Sequence, residues 1–128
     1  MRGRVVLWCA SRGIPLYGPS GSSAHVRGVA RALLARGYDV QVSVPLAADA
    51  RGRWDDAPAL RATHLRGPAW PAGLRTLGAR IDGHRLAAST PWRNASWLWE
   101  RHEPATAAAA RWSKALGVRR VVELDAPL

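Results

Sequence analysis

Short apolar runs and stripes of helical period alternate along this chain of 128 residues. The run Arg4–Ala10 is continuously apolar after its first residue, as is typical of a buried parallel strand. Between His25 and Arg36 the apolar positions recur three and four residues apart, which predicts an amphipathic helix. A loop rich in Gly, Pro and Ser, residues 11–24, separates the two segments. The chain therefore opens with a predicted strand, a long loop and a helix.

The same two periods recur to the end of the chain. Further strands are predicted near residues 38–45, 60–65, 96–100 and 119–125, and further helices near residues 74–88 and 104–117. This order predicts an α/β domain with a Rossmann-like, doubly wound and mostly parallel sheet of about five strands. No helix follows the last predicted strand, so we expect the sheet to be incomplete at the carboxyl terminus.

The charge adds a strong excess of cations. The net charge is +10, and eighteen of the nineteen basic residues are arginine. Because the arginines are scattered, a solvated basic surface is the simpler interpretation. The alternative is attraction to anions, such as nucleotide phosphates, acidic lipid headgroups or nucleic acid.

Cysteine and histidine usage predicts neither a disulfide framework nor a metal site. Cys9 is the only cysteine and lies in an apolar run, which predicts a buried small hydrophobe. The spacing of His64, His84 and His102 does not fit a metal site, and we expect no cofactor. The sequence has no stretch of transmembrane length. We expect a cytoplasmic protein, with the inner face of the membrane as an alternative location.

The first loop departs from two familiar phosphate-binding motifs, and a nicotinamide or flavin enzyme remains a less expected alternative. Gly13–Ser20 has the spacing of a P-loop, but Pro19 stands where the lysine is required, which excludes an ATPase or GTPase. Gly18 and Gly21 come too late for a dinucleotide-binding turn, and no acidic residue ends the second strand. What remains is a loop-to-helix junction containing Ser20, Gly21, Ser22, Ser23 and His25. We expect its free N–H groups, those of residues 22–25, to face an anion. The alternative is an ordinary helix cap.

Two further groups of polar residues follow predicted strands. Glu100 and Arg101 end the fourth strand, and Glu123 and Asp125 flank the end of the fifth on one side by period two. In a sheet of order 3-2-1-4-5, the fourth strand neighbours the first. We therefore expect Glu100 and Arg101 to open onto the same crevice as Gly21 and His25. The alternatives are a surface ion pair and an acidic turn.

Taken together, these segments resemble the N-terminal domain of a family 4 glycosyltransferase of the GT-B fold. The stretch from Gly18, with His25, Val26, Arg27 and Gly37, resembles that family's opening loop, helix and second strand. The stretches "WERHEP" and "ARWSKALGVRRVVELDAPL" resemble the family's "YERYS…A…LG…VLEVNAPL". Residues 46–90 carry no distinctive match.

The resemblance implies a domain that binds the sugar acceptor and assists with the donor's phosphates. The family's glycine pair falls at Ser20 and Gly21, and its asparagine falls at Asp125, the candidate residue on the catalytic side. The expected phosphate- and substrate-binding residues are Ser20, Gly21, Ser22, His25, Glu100, Arg101 and Glu123. The family's donor-binding C-terminal domain has no counterpart here.

Two functions remain open from the sequence. The first is an N-terminal domain or fragment of a retaining glycosyltransferase, inactive alone, whose full-length form takes a nucleotide-sugar donor and a sugar or lipid acceptor. The second is a non-catalytic basic module that binds nucleic acid or an acidic membrane surface, nucleic acid being the less expected partner. Convergence of Gly21, His25, Glu100 and Asp125 at one crevice would favour the first function. Clustering of arginines on one face would favour the second.

Overall fold

The computed structural model describes residues 2–12, 14, 16–45, 60–65, 70–103 and 106–124. Its elements are β1 (Arg4–Cys9), α1 (Gly21–Ala35), β2 (Asp39–Ser43), β3 (Arg61–Thr63), α2 (Arg75–Ser89), β4 (Ala95–Arg101), α3 (Ala108–Leu116) and β5 (Arg119–Glu123). One turn of 3₁₀ helix, Ala72–Leu74, leads into α2. The element order agrees with the order predicted from the sequence.

The strands form one parallel sheet in the order β3-β2-β1-β4-β5. The predicted α/β, Rossmann-like class is thereby confirmed, and the 3-2-1-4-5 order places β1 beside β4. Val5 pairs with Val40 on one side and with Trp97 on the other. Because β1 lies at the centre with helices over both faces, it is buried from Val5 to Cys9, and this explains its uninterrupted apolar sequence.

Two hydrophobic clusters lie on opposite faces of the sheet. Alternate β1 residues Leu7 and Cys9 pack under α1, whereas Val6 and Trp8 pack under α2 and α3. The same alternation divides β4, so that Leu98 faces α2 and α3 and Trp99 faces α1. This alternation also determines on which face of the sheet each of the last two side chains of β4 lies.

The start of α1 differs from the prediction. The helix begins at Gly21 rather than at His25, because Ser20 is its N-cap residue and accepts a hydrogen bond on its side chain from the Ser23 N–H at 3.1 Å. Gly37, which has a φ of +85°, follows the end of the helix, as predicted. His25 therefore lies in the second turn of α1, on the helix itself.

The third helix also begins later than predicted, at Ala108. Pro104, expected near its start, lies outside the described residues. At its other end Gly117 adopts a φ of +66°, and the N–H of Val118 donates to the Ser113 carbonyl at 2.9 Å. This left-handed glycine ends the helix at the predicted position.

Two glycines inside α2 allow other segments to approach the helix closely. A Cβ atom on Gly78 would lie 2.2 Å from the ring of Trp70, and one on Gly83 would lie 2.2 Å from the Thr106 Oγ1. Both separations are too short for any real pair of atoms. These glycines, which weaken the helical pattern in the sequence, are therefore requirements of packing.

We expect Gly83→Ala to lower the free energy of unfolding by about 1 kcal/mol, because overpacking against Thr106 outweighs the helix propensity gained. Gly28→Ala in α1 is the matched control. No atom lies within 4 Å of a Cβ built on Gly28, so this change is expected to stabilise the protein by roughly 0.5–1 kcal/mol. Urea unfolding of both variants tests the contrast, and equal effects would contradict it.

Candidate functional site at the carboxyl edge of the sheet

Three elements meet at the carboxyl edge of the sheet on the α1 face. The first two turns of α1 carry Ser22 and His25, the last residue of β4 is Arg101, and the last residue of β5 is Glu123. Since the strands are parallel, their carboxyl ends lie at one edge, and the loop after β1 returns α1 over that edge. Side chains more than 75 positions apart in the sequence are thereby brought into contact.

The Glu123 carboxylate contacts three of the surrounding side chains. Its Oε1 lies 2.5 Å from the His25 Nε2 and 3.9 Å from an Arg101 guanidinium nitrogen, and its Oε2 accepts a hydrogen bond from the Trp99 indole N–H at 3.0 Å. A second Arg101 nitrogen donates to the Ser22 Oγ at 3.2 Å. The Glu123 carboxylate thus orients both the imidazole and the guanidinium toward the start of α1.

An open cavity of about 360 Å³ lies beside this group and is lined by Gly21, Ser22, His25 and Arg101. The N–H groups of Gly21 and Ser22 precede the first intrahelical hydrogen bond, so the helix itself leaves them unsatisfied. The positive end of the helix dipole and the Arg101 guanidinium favour an anion here. The His25 imidazole, half exposed, can donate to a hydroxyl or an anion at the rim.

The predicted set of N–H donors is smaller than expected. The Ser23 N–H is already bonded to the Ser20 Oγ, and the Ala24 N–H donates to the Ser20 carbonyl at 3.0 Å. Ser20 therefore acts as a helix cap, and Ser23 is fully buried. Free N–H groups were predicted for residues 22–25. Of these, the Ser22 N–H remains available to a ligand, and the Gly21 N–H is a second available donor.

Glu100 does not join this crevice, contrary to the prediction. It precedes Arg101 by one residue, so the strand period directs its side chain to the opposite face, where its Oε2 lies 2.5 Å from the Arg120 Nε. Glu100 is only 3% exposed. Asp125 lies outside the described residues. Of the four residues whose convergence would favour the first function, the structure brings together Gly21 and His25.

A buried arginine missed by the sequence reasoning holds the loop before α1. Arg27 is 1% exposed, and one of its guanidinium nitrogens donates to the Leu16 carbonyl at 2.9 Å and to the Gly18 carbonyl at 3.0 Å. The sequence holds one signal for this burial. Ser23, Arg27 and Ala30 are spaced by four and three residues, so they lie on one side of α1, and all three are buried in the structure. Arg27 fixes the backbone that leads into the anion-facing turn.

An ion pair between a buried aspartate and a part-buried arginine, also missed, fixes the other half of the loop. The Arg12 guanidinium donates to both oxygens of Asp82 on α2, with nitrogen–oxygen distances of 2.5 and 3.1 Å. Burial raises the pKa of the Asp82 carboxyl, but hydrogen bonding to Arg12, aided by the charges of Arg12 and Arg85, outweighs burial and leaves that pKa below its ordinary value. The pair ties the segment after β1 to α2.

Cys9 offers no reactive thiol. It is 2% exposed, and burial raises the pKa of the thiol, which disfavours the thiolate. Its predicted place in the core is confirmed. Among the described residues no group of three or more His, Cys, Asp or Glu side chains lies close enough to hold a metal ion. No helix in the described part of the chain has both the length and the apolar character needed to cross a bilayer.

The architecture has a counterpart among solved structures. The chain is similar to the C-terminal domain of a hydrogenase from Pyrococcus furiosus, with a TM-score of 0.63 and 12% sequence identity, over 95% of this chain and 92% of that one. At this identity the likeness concerns the fold alone. No protein-family model and no curated protein matches the sequence.

Proposed function

We propose that this chain is the N-terminal, acceptor-side domain of a glycosyltransferase that takes a nucleotide-sugar donor. The observation that carries the proposal is the cluster of Ser22, His25, Arg101 and Glu123 around the first turn of α1. It lies at the carboxyl edge of the sheet beside the central strand, where open α/β sheets bind their ligands. The motif resemblance supplies the reaction class, and the cluster supplies groups suited to its substrates.

The cluster combines groups that donate hydrogen bonds to an anion with one carboxylate. Sugar transfer from a diphosphate uses both kinds of group. The Gly21 and Ser22 N–H groups and the Arg101 guanidinium suit a donor phosphate. Glu123 and His25 suit sugar hydroxyls, because a carboxylate accepts and an imidazole N–H donates. In this proposal the domain positions its substrates, and a second, donor-binding domain provides the remaining phosphate contacts. The isolated chain is then inactive in transfer.

The alternative proposal is a basic module that docks on an acidic membrane surface, and one feature supports it. The segment leading into α2 and α2 itself expose Leu74, Leu77 and Ile81, spaced three and four residues apart. Arg75, Arg80 and Arg85 of the same helix are also exposed, whereas its acidic residue, Asp82, is buried. An apolar row with flanking arginines is typical of helices that lie on membranes. The same surface would allow a glycosyltransferase to act on a lipid acceptor at the inner face.

A titration of the 128-residue chain with a panel of nucleotide-sugars, followed by amide chemical shifts, tests the first proposal. We expect dissociation constants in the millimolar range, about −4 kcal/mol, because one wall of the cleft supplies few contacts. The largest shifts are expected at Gly21, Ser22 and His25. His25→Ala should weaken binding about fivefold, as the loss of one hydrogen bond of about 1 kcal/mol requires.

His64→Ala is the matched control, because His64 is exposed at the end of β3 and should leave the affinity unchanged. Shifts confined to other surfaces, or equal effects of the two histidine variants, would contradict the site. Duplex DNA and vesicles containing anionic lipid form the other arms of the titration. Tight, steeply salt-dependent DNA binding would contradict a glycosyltransferase domain. Retention on anionic vesicles without any response to nucleotide-sugars would favour the membrane module.

A further inference from the structure

A second and larger cavity lies on the opposite face of the sheet. Its volume is about 500 Å³, and it lies between α2 and the start of α3, above β4 and β5. The charged and imidazole side chains that line it are Arg80, His84, Glu100, His102, Arg111 and Arg120. The candidate glycosyltransferase site shares no residue with it.

The charges in this cavity do not balance. Glu100, almost fully buried, is paired with Arg120 through a nitrogen–oxygen contact of 2.5 Å. The side chains of Arg80 and Arg111 form no ion pair or hydrogen bond with any residue that the structure describes. Among the residues that the structure describes, three guanidinium groups and one carboxylate at this concave site leave two positive charges without a partner.

We infer that this cavity binds a small molecule that carries a phosphate monoester. A phosphate dianion matches the guanidinium groups of Arg80 and Arg111 in charge, and the planar fork of each guanidinium fits two phosphate oxygens. The positive end of the α3 dipole lies at the same site, since Ala107 and Ala110 also line the cavity. The phosphate is placed at Arg80 and Arg111, away from the Glu100 carboxylate.

The cavity volume and its other lining residues indicate the size and the polar groups of the rest of the ligand. A cavity of about 500 Å³ is larger than one phosphate and falls in the range of small-molecule sites. Glu100 is held by Arg120 at its Oε2 and can accept hydrogen bonds from ligand hydroxyls. A hydroxylated phosphate monoester thus fits the cavity, with its phosphate between the helices and its hydroxyls over β4.

Calorimetric titration of the full chain with inorganic phosphate and with glycerol 1-phosphate tests the inference. We expect both probes to bind the wild type and the double variant Arg80→Gln/Arg111→Gln to bind them at least tenfold more weakly. The matched control is Arg2→Gln/Arg93→Gln, which removes the same net charge from exposed positions at the amino end of the sheet. This control should change the affinity less than twofold.

Equal losses in the two double variants, or no binding of either probe to the wild type, would overturn the inference. Amide shifts of the wild type supply a measurement that does not depend on any variant folding, and they should centre on His84 and Ala110. Phosphate binding abolished by Arg101→Gln instead would assign it to the start of α1 and overturn this site without touching the proposed function. Retention on vesicles containing phosphatidic acid but not on anionic vesicles containing phosphatidylserine, lost in Arg80→Gln/Arg111→Gln, would identify the phosphate as that of a lipid. Binding of glycerol 1-phosphate without retention would identify a soluble ligand.

Discussion

Asp82→Ala is expected to lower the free energy of unfolding by about 3 kcal/mol, because it leaves the part-buried Arg12 guanidinium without its partner on α2. Asp82 is 1% exposed and accepts both hydrogen bonds from Arg12. Asp39→Ala is the control, since Asp39 pairs with Arg4 at 2.7 Å in a more accessible position, with side-chain exposures of 17% and 22%. That change should cost about 1 kcal/mol. Equal losses of unfolding free energy in the two variants, measured by urea unfolding, would contradict a larger contribution from the Arg12–Asp82 pair.

The same pair predicts a pH dependence. The pKa of Asp82 is lower in the folded protein than its ordinary value of about 3.9, so its carboxylate contributes stability that is fully present above that value. The contribution is lost as the pH falls through the lower, folded-state pKa. We therefore expect the stability difference between the wild type and Asp82→Asn to be full near neutral pH and to shrink below about pH 4. A difference that stays constant down to acidic pH would contradict this linkage.

Replacing Arg27 with methionine is expected to cost about 3 kcal/mol of stability. Methionine retains most of the side-chain volume but leaves the Leu16 and Gly18 carbonyls without their buried donor, and each unsatisfied group costs about 1–3 kcal/mol. The stability of Arg27→Lys should fall between those of the wild type and Arg27→Met, because an ammonium group can still donate to these carbonyls. Arg36→Met is the control, since Arg36 is exposed at the end of α1 and its change should stay within about 0.5 kcal/mol.

This experiment also tests how the candidate site is built. Loss of the Arg27 contacts should release the backbone of residues 16–18 and raise amide hydrogen exchange at Gly18, with little change at the amino end of β1. Urea unfolding and hydrogen exchange of Arg27→Met and Arg36→Met measure both effects. A stable Arg27→Met variant with unchanged exchange at Gly18 would show that other contacts hold the loop.

The fold could be predicted because its signals are periodic and local. Continuous apolar strands, a four-three helical spacing and glycines after two helices each fix one element, and the alternation of elements fixes the class. The start of α1 was harder to predict, because Ser20, Ser22 and Ser23 are all acceptable caps by residue type. The choice among them depends on which serine is buried, and that is a property of the tertiary packing.

The site could be predicted only in part, for a similar reason. Sequence spacing placed His25 and Arg101 at one edge because parallel strands bring their carboxyl ends together, whereas the central part of Glu123 in the contacts was not predicted. It misplaced Glu100, although the strand period requires neighbouring residues to face opposite sides. Arg27 and Asp82 were missed because charged residues are expected at the surface, and their partners lie 9 to 70 positions away.

The opposed directions of Glu100 and Arg101 also bear on how β4 finds its place in the sheet. A slip of one residue in β4 would exchange the two side chains between the faces. Glu100 would then meet the carboxylate of Glu123, and Arg101 would enter the cavity that already holds Arg80, Arg111 and Arg120. Like charges would face each other on both sides of the sheet. The electrostatics of this single dipeptide therefore penalise the wrong strand pairing, in addition to the apolar contacts of Leu98 that favour the right one.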